Sequence, residues 1–388
     1  MTRHRFVFLA LVGLVTGGAI LAATLRPVGD VRPTRPTTTT TVAPLRWTNP
    51  VLAADFPDPF LLRDGNRYMA FATNGPAGRV QVSTSEDLAT WSAPTEALAS
   101  MPTWASARND LVWAPAVGRF DSTWVMYATF PDARSGRQCI GVATSPTSTG
   151  PYTPVTGAPL VCPVADGGAI DPDVFSDGEA VWLLWKVDGN CCGRPSTIRS
   201  QQLAADGRSL VGSASDLLTV DQTWERGAGA RQSTVEGPSL RRIDGRLFLL
   251  YSGGGYAGAG YATGFAVCES VRGPCHKPRS TPLIASTTTA AGPGGGSLFL
   301  DEERRPWVAY HAWDPAKVGY EAGGVRSMRL DRLLVVDGQL VVLGPTTSPM
   351  ELPARAQVPV VVTTLPTTAP SSERSSVPAS SGRSEKRR

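Results

Sequence analysis

Three acidic residues each open a similar stretch of this chain. They are Asp58 in Phe56-Pro57-Asp58-Pro59-Phe60, Asp171 in Ile170-Asp171-Pro172-Asp173, and Glu236 in Val235-Glu236-Gly237-Pro238. Each is followed by a short apolar run, a turn built on Asp-Gly, and a second run rich in aromatics. Acids at matching points of a repeat meet in space when the repeats stand around an axis. The periodicity therefore predicts a site with several carboxyl groups, where each charge shifts the proton affinity of its neighbours. An Asp-Pro pair alone is an ordinary turn former, because Asp bonds its local backbone and Pro fixes φ. The match between three positions is what argues for chemistry; Asp173 is read as structural.

Something must bring these residues together, and the runs between them indicate what. Tyr68-Met-Ala-Phe-Ala, Trp124-Val-Met-Tyr-Ala, Val181-Trp-Leu-Leu-Trp, Leu247-Phe-Leu-Leu-Tyr and Trp307-Val-Ala-Tyr-His read as strands, punctuated by Gly, Pro, Asn and Asp. They recur about every 60 residues, the scale of a repeat array. Five units result, running from Asp58 to Trp91, Trp113 to Tyr152, Asp171 to Leu210, Glu236 to Cys275 and Gly292 to Leu343. With about four strands each they have the content of propeller blades. The expected fold is an all-β, five-bladed β-propeller; a β-sandwich gives no reason for five similar units. The first strand of a blade lines the central channel, so the residues opening it ring one mouth. Unit two places Trp113-Ala114-Pro115 there and unit five Gly294-Gly295-Gly296. Trp113 either stacks on a sugar or fills the channel wall, Phe56 is the second aromatic candidate for substrate contact, and Trp182 and Trp185 suit the core. His311 fits either a buried core position or a ligand for a channel ion or water.

The rest of the chain bounds the function. Residues 1–25 carry Arg3, His4 and Arg5 ahead of an apolar stretch, a cleaved signal or a retained signal-anchor, either of which exports the remainder. Residues 26–45 form a Thr/Pro-rich linker and 354–388 a Ser/Thr/Pro-rich basic tail, leaving 46–353 as the folded part. Residues 1–46 hold six Arg against one Asp, and 354–388 six basic groups against two acidic. With a net charge of +4, the part between is acidic, which excludes a nucleic-acid binder. The basic ends are solvated without a partner or suit a membrane or cell-wall surface, and a monomer is expected. Six Cys in an exported chain permit disulfides. Cys268 pairs with Cys275 across a short turn and Cys139 suits Cys162, while Cys191 and Cys192 bond each other or pair elsewhere. Gly253-Gly254-Gly255 is followed by no helix and no Gly-Lys-Ser/Thr, so it is no nucleotide loop.

These motifs resemble glycoside hydrolase family 43 from about Asn49 to Leu343. Its Pro-Asp-Pro after an aromatic stands as Phe56-Pro57-Asp58-Pro59, its Ile-Asp-Pro as Ile170-Asp171-Pro172 and its Glu-Gly-Pro as Glu236-Gly237-Pro238. Ser85-Glu86-Asp87-Leu88-Ala89-Thr90-Trp91, Ser145-Pro146, Thr149-Gly150-Pro151-Tyr152, Trp113-Ala114-Pro115 and Tyr310-His311 also match. Two departures stand out: Ala116 replaces a frequent acid, and Pro293-Gly294-Gly295 lacks the His of Pro-Gly-His that helps hold a channel calcium or sodium ion or water. No cofactor is called for. Pro57, Ile170 and Gly237 separate the chain from the invertase-like family 32.

The resemblance implies an inverting glycosidase acting on arabinose- or xylose-containing glycans, as α-L-arabinofuranosidase, arabinanase or β-xylosidase. Asp58 would be the base, Glu236 the acid, and Asp171 the group that orients Glu236 and sets when it holds its proton. A retaining relative and a non-catalytic, carbohydrate-binding propeller are the alternatives. Exo or endo action would depend on the loops Ala105–Leu111, Val187–Pro195 and Gly253–Tyr261.

Overall fold

A computed structural model describes residues 46–155, 157–227 and 233–352. The expected signal or anchor, the linker and the basic tail lie outside the described residues. Twenty strands form five four-stranded antiparallel sheets, each contiguous in sequence. The first holds β2 (Phe60–Asp64), β3 (Arg67–Ala72), β4 (Gln81–Ser85) and β5 (Thr95–Glu96), and the second β6 (Trp113–Phe120), β7 (Thr123–Pro131), β8 (Gln138–Ser145) and β9 (Thr153–Pro154). The third holds β10 (Ala169–Ser176), β11 (Val181–Val187), β12 (Thr197–Leu203) and β13 (Leu210–Thr219). β14 (Val235–Ile243), β15 (Arg246–Gly253), β16 (Ala262–Cys268) and β17 (Cys275–His276) make the fourth, and β18 (Ala291–Leu300), β19 (Pro306–Trp313), β20 (Ser327–Val336) and β21 (Gln339–Leu343) the fifth. The architecture is the expected five-bladed propeller.

Each blade's second strand (β3, β7, β11, β15, β19) is a continuous apolar run, because both its faces meet a neighbouring blade. Burial follows: five apolar clusters each join two adjacent sheets and complete the ring. The hairpin turns Asp244-Gly245 and Asp337-Gly338 have φ of 48° and 79°, and of 49° and 73°, the paired left-handed residues of a tight turn. Among the described residues, no strand crosses between blades. Instead β1 (Arg46–Trp47) pairs with β22 (Met350–Glu351), and the segment between β1 and blade one is laced to β20. Trp47 Nε1 donates to Leu330 O (3.1 Å), and Asn49 exchanges two 2.9 Å bonds with the Leu330 backbone.

The blade starts share one backbone device. Asp58, Ala114, Asp171, Gly237 and Gly295 have φ of 53°, 42°, 55°, 56° and 57°, one per blade. In β6, β10, β14 and β18 the ladder is interrupted at this point. A bulge there turns the chain as it enters the channel wall. The structure thereby corrects the expected alignment by one residue. Gly237 is the counterpart of Asp58 and Asp171, whereas Glu236 holds the position of Trp113 and Ile170. Asp tolerates the left-handed region through local bonding, and Glu in the preceding position leaves that conformation to Gly237.

Candidate active site

The five blade starts converge on a cavity of about 630 Å³. Asp58, Asp171, Glu236 and Trp113 all line it. Phe56 does not: its side chain is fully buried among Trp47, Leu52 and Leu61, between blade one and blade five. The expected substrate-contact role for Phe56 is therefore replaced by a core role. Asp173 is 1 % exposed and ties blade three to blade four, accepting from Leu240 N at 2.8 Å and from Arg241 Nη1 at 3.1 Å.

Asp58 sits among donors. Thr73 Oγ1 donates to its Oδ2 at 2.6 Å, and Arg326 Nη1 lies 3.4 Å from both carboxyl oxygens. Burial pushes the Asp58 carboxyl up, but the Arg326 charge, then the His311 contact and the Thr73 bond, outweigh it and hold the group well below the usual range. Arg326 is itself fixed, bonded to Tyr320 Oη at 3.0 Å and lying over the rings of Tyr256 and Tyr320. Asp58 N–H donates to His311 Nδ1 at 3.1 Å, and the same nitrogen stands 3.3 Å from Asp58 Oδ1. Burial pushes the His311 ring down, toward its neutral form.

The other two acids are half-buried neighbours, and Asp171 has the opposite electrostatics to Asp58. Asp171 Oδ2 accepts from Gly237 N at 3.0 Å. Burial, and next the charge of Glu236, raise Asp171 to about 8, against the opposing pull of Lys186. Glu236 Oε2 accepts from Lys186 Nζ at 2.7 Å, and Glu236 Oε1 from Tyr261 Oη at 2.8 Å. Lys186 also reaches Asp188 Oδ1 at 3.1 Å. One cation thus acts on three carboxyl groups, and Asp171 keeps its proton near neutral pH.

Lys186, Tyr261, Arg326 and Thr73 were not among the residues expected from sequence. Lys186 did carry a signal, being a charge inside the apolar run Val181-Trp-Leu-Leu-Trp-Lys-Val187. Tyr261 and Arg326 come from the ends of mouth loops and have no such mark. Of the three loops expected to shape the mouth, each contributes lining residues: Leu111, Asp188 and Tyr256 among them.

The fifth blade bears on the metal. A methyl group at Gly295 would overlap Asp58 Oδ1 and stand 2.6 Å from His311 Cε1, so the glycine is a steric requirement. Among the described residues, His311 Nε2 is buried without a partner. It offers one ring nitrogen, while Asp58 is already engaged by Thr73 and Arg326. Calcium takes six to eight oxygen ligands, and these residues do not make that cage. No step below involves a metal.

A propeller whose channel cavity gathers three carboxyl groups of opposed proton affinity, with aromatic walls, is of the class of carbohydrate-cleaving propeller enzymes. The family described as glycosyl hydrolases family 43 matches residues 47–339, and the chain belongs to it: it is an O-glycosyl hydrolase. It is similar to a β-D-galactofuranosidase of Aspergillus niger, 26% identical over 305 residues, covering 74% of this chain and 82% of that protein. Among solved structures, a thermostable family-43 glycoside hydrolase superposes with a TM-score of 0.70 at 28% identity, covering 80% of this chain and 99% of the other. An endo-1,4-β-xylanase from Bacteroides thetaiotaomicron follows at 0.63 and 25%, covering 78% and 98%.

Proposed function

We propose that the chain is an inverting hydrolase of arabinose- or xylose-containing glycans. Asp58 takes a proton from water, Glu236 gives one to the leaving oxygen, and Asp171 holds that proton in reserve. The observation that carries this reading is the electrostatic contrast in one cavity. Asp58 beside Arg326 stays ionised, as a base must, and Asp171 beside Glu236 retains a proton on which the acid can draw. In inversion the water attacks the face of the sugar opposite the departing group. Asp58 on blade one and the Glu236–Lys186 pair on blades four and three supply groups for the two sides. Acid and base each contribute ~10²–10⁴-fold in such reactions.

A second reading concerns the sugar. The Aspergillus relative is described as a β-D-galactofuranosidase. β-D-Galactofuranose shares the ring configuration of α-L-arabinofuranose and differs beyond C4. A screen on para-nitrophenyl α-L-arabinofuranoside, β-D-xyloside and β-D-galactofuranoside, together with linear arabinan, decides among them. Turnover on the arabinoside, the xyloside or arabinan supports the first reading, and turnover on the galactofuranoside alone supports the second. No turnover on any of them contradicts both. Export belongs to the same proposal, and the three disulfides Cys139–Cys162, Cys191–Cys192 and Cys268–Cys275 support it.

A further inference from the structure

Cys191 and Cys192 bond to each other, and the chemistry above makes no use of them. They end a single 3₁₀ turn, Gly189–Cys192, that follows β11 at the cavity. Cys191 lines the cavity and Cys192 is exposed. The turn is held firmly: Asp188 N donates to Gly168 O at 3.0 Å, Arg194 N to Gly189 O at 2.9 Å, and Arg194 Nη1 to Ala165 O. Arg137 Nη1 lies 3.6 Å from Cys191 Sγ. A methyl group on Gly167 would run into Asp188 O and stand 3.2 Å from Cys191 Sγ, so the turn is packed against its neighbour.

Its place in the ring gives it a task. Blade three stands across the channel from blade one, which carries Asp58. Lys186, on the same β11, grips Glu236 at 2.7 Å and lines the cavity together with Cys191, so blade three brings the acid's partner and the disulfide to the side across from Asp58. The departing sugar leaves on that side. Sugars present an apolar C–H face, and enzymes commonly cover it with an aromatic ring. Blade one lines the cavity with Phe60, blade two with Trp113, blade four with Tyr256 and Tyr261, and blade five with Tyr320. Among the described residues, blade three lines it with no aromatic residue and supplies Cys191 instead. A disulfide has no S–H to donate and is soft and polarizable, so it offers an apolar surface to a C–H face.

We infer that the Cys191–Cys192 disulfide is a specificity-determining platform of the leaving-group subsite, on which the apolar face of the departing sugar packs. The inference rests on the proposed glycosidase reading. The test compares the native protein with a Cys191→Ser/Cys192→Ser variant on two matched pairs of substrates. These are α-1,5-arabinobiose with α-L-arabinofuranosyl fluoride, and β-1,4-xylobiose with β-D-xylosyl fluoride. Fluoride leaves the subsite empty, whereas the disaccharides fill it. Loss of one packing surface is expected to lower the disaccharide-to-fluoride ratio of kcat/KM about tenfold. An equal loss on both substrates, with the ratio unmoved, overturns the inference and makes the disulfide a brace only. An unchanged ratio with unchanged rates overturns it as well. Should the native protein cleave none of the four, the arabinoside and xyloside reading fails and takes the inference with it. If the double variant does not fold, native protein with this disulfide selectively reduced, as verified by peptide mass after alkylation, gives the same readout.

Discussion

Replacing Lys186 by Met tests the proton inventory of the site. The Lys186 side chain is 2% exposed, with its ammonium 2.7 Å from Glu236 and 3.1 Å from Asp188. Met fills much of the same volume without the charge. Removing one partner of a buried ion pair costs about 3–5 kcal/mol. A site can escape part of that cost by binding a proton instead. Lys186 opposes the rise of Asp171, whose value is already about 8 from burial and the Glu236 charge. Its loss therefore drives the proton-releasing step of the pair further up. If half of the lost interaction goes into proton affinity, the step moves by ~1–2 pH units at about 1.4 kcal/mol per unit.

The assay is kcat/KM against pH for both proteins. The reaction needs the proton, so native activity falls as pH rises through about 8, and the variant's limb should lie higher. The sign for stability follows the same group. A folded value above that of an ordinary Asp means its stabilising effect is full below the unfolded value and is lost as pH climbs toward about 8. A variant that loses rate with its alkaline limb unmoved would refute the linkage between Lys186 and the shared proton.

Three further outcomes are expected. Gly295→Ala forces a side chain at φ 57° against Asp58 and His311, and should lower kcat at least about 100-fold by misplacing the base, measured alongside thermal unfolding. Phe56→Ala should cost about 3–5 kcal/mol in denaturant unfolding, with KM of the folded enzyme little changed, because its ring is in the core and not in the cavity. Glu236→Gln should lose most activity on natural glycans yet retain more on aryl glycosides, whose leaving groups need less protonation, whereas Asp58→Asn should fail on both.

The ring was legible because its second strands are buried on both faces, and an apolar run such as Val181-Trp-Leu-Leu-Trp has few other uses. Asp58 and Asp171 were legible through Asp-Pro, which fits the left-handed bulge at each blade start. The same bulge misled at Glu236, since Gly237 takes the strained position and the acid falls one residue earlier. Phe56 resembled a wall residue by closeness to Asp58, but two residues of chain carry it to the far side of the bulge and into the core. Lys186 stood out only as a charge in an apolar strand. Tyr261 and Arg326 reach the cavity from different blades, and nothing in their local sequence signals where a loop end will point. Adjacent cysteines leave their pairing open until the turn that holds them is seen.

The most direct measurement is proton NMR of the first product formed from a cleaved glycoside, followed before mutarotation. With Asp58 as base and Glu236 as acid, the released sugar should appear first in the anomeric configuration opposite to that of the substrate. A first product that keeps the substrate's configuration would contradict the account.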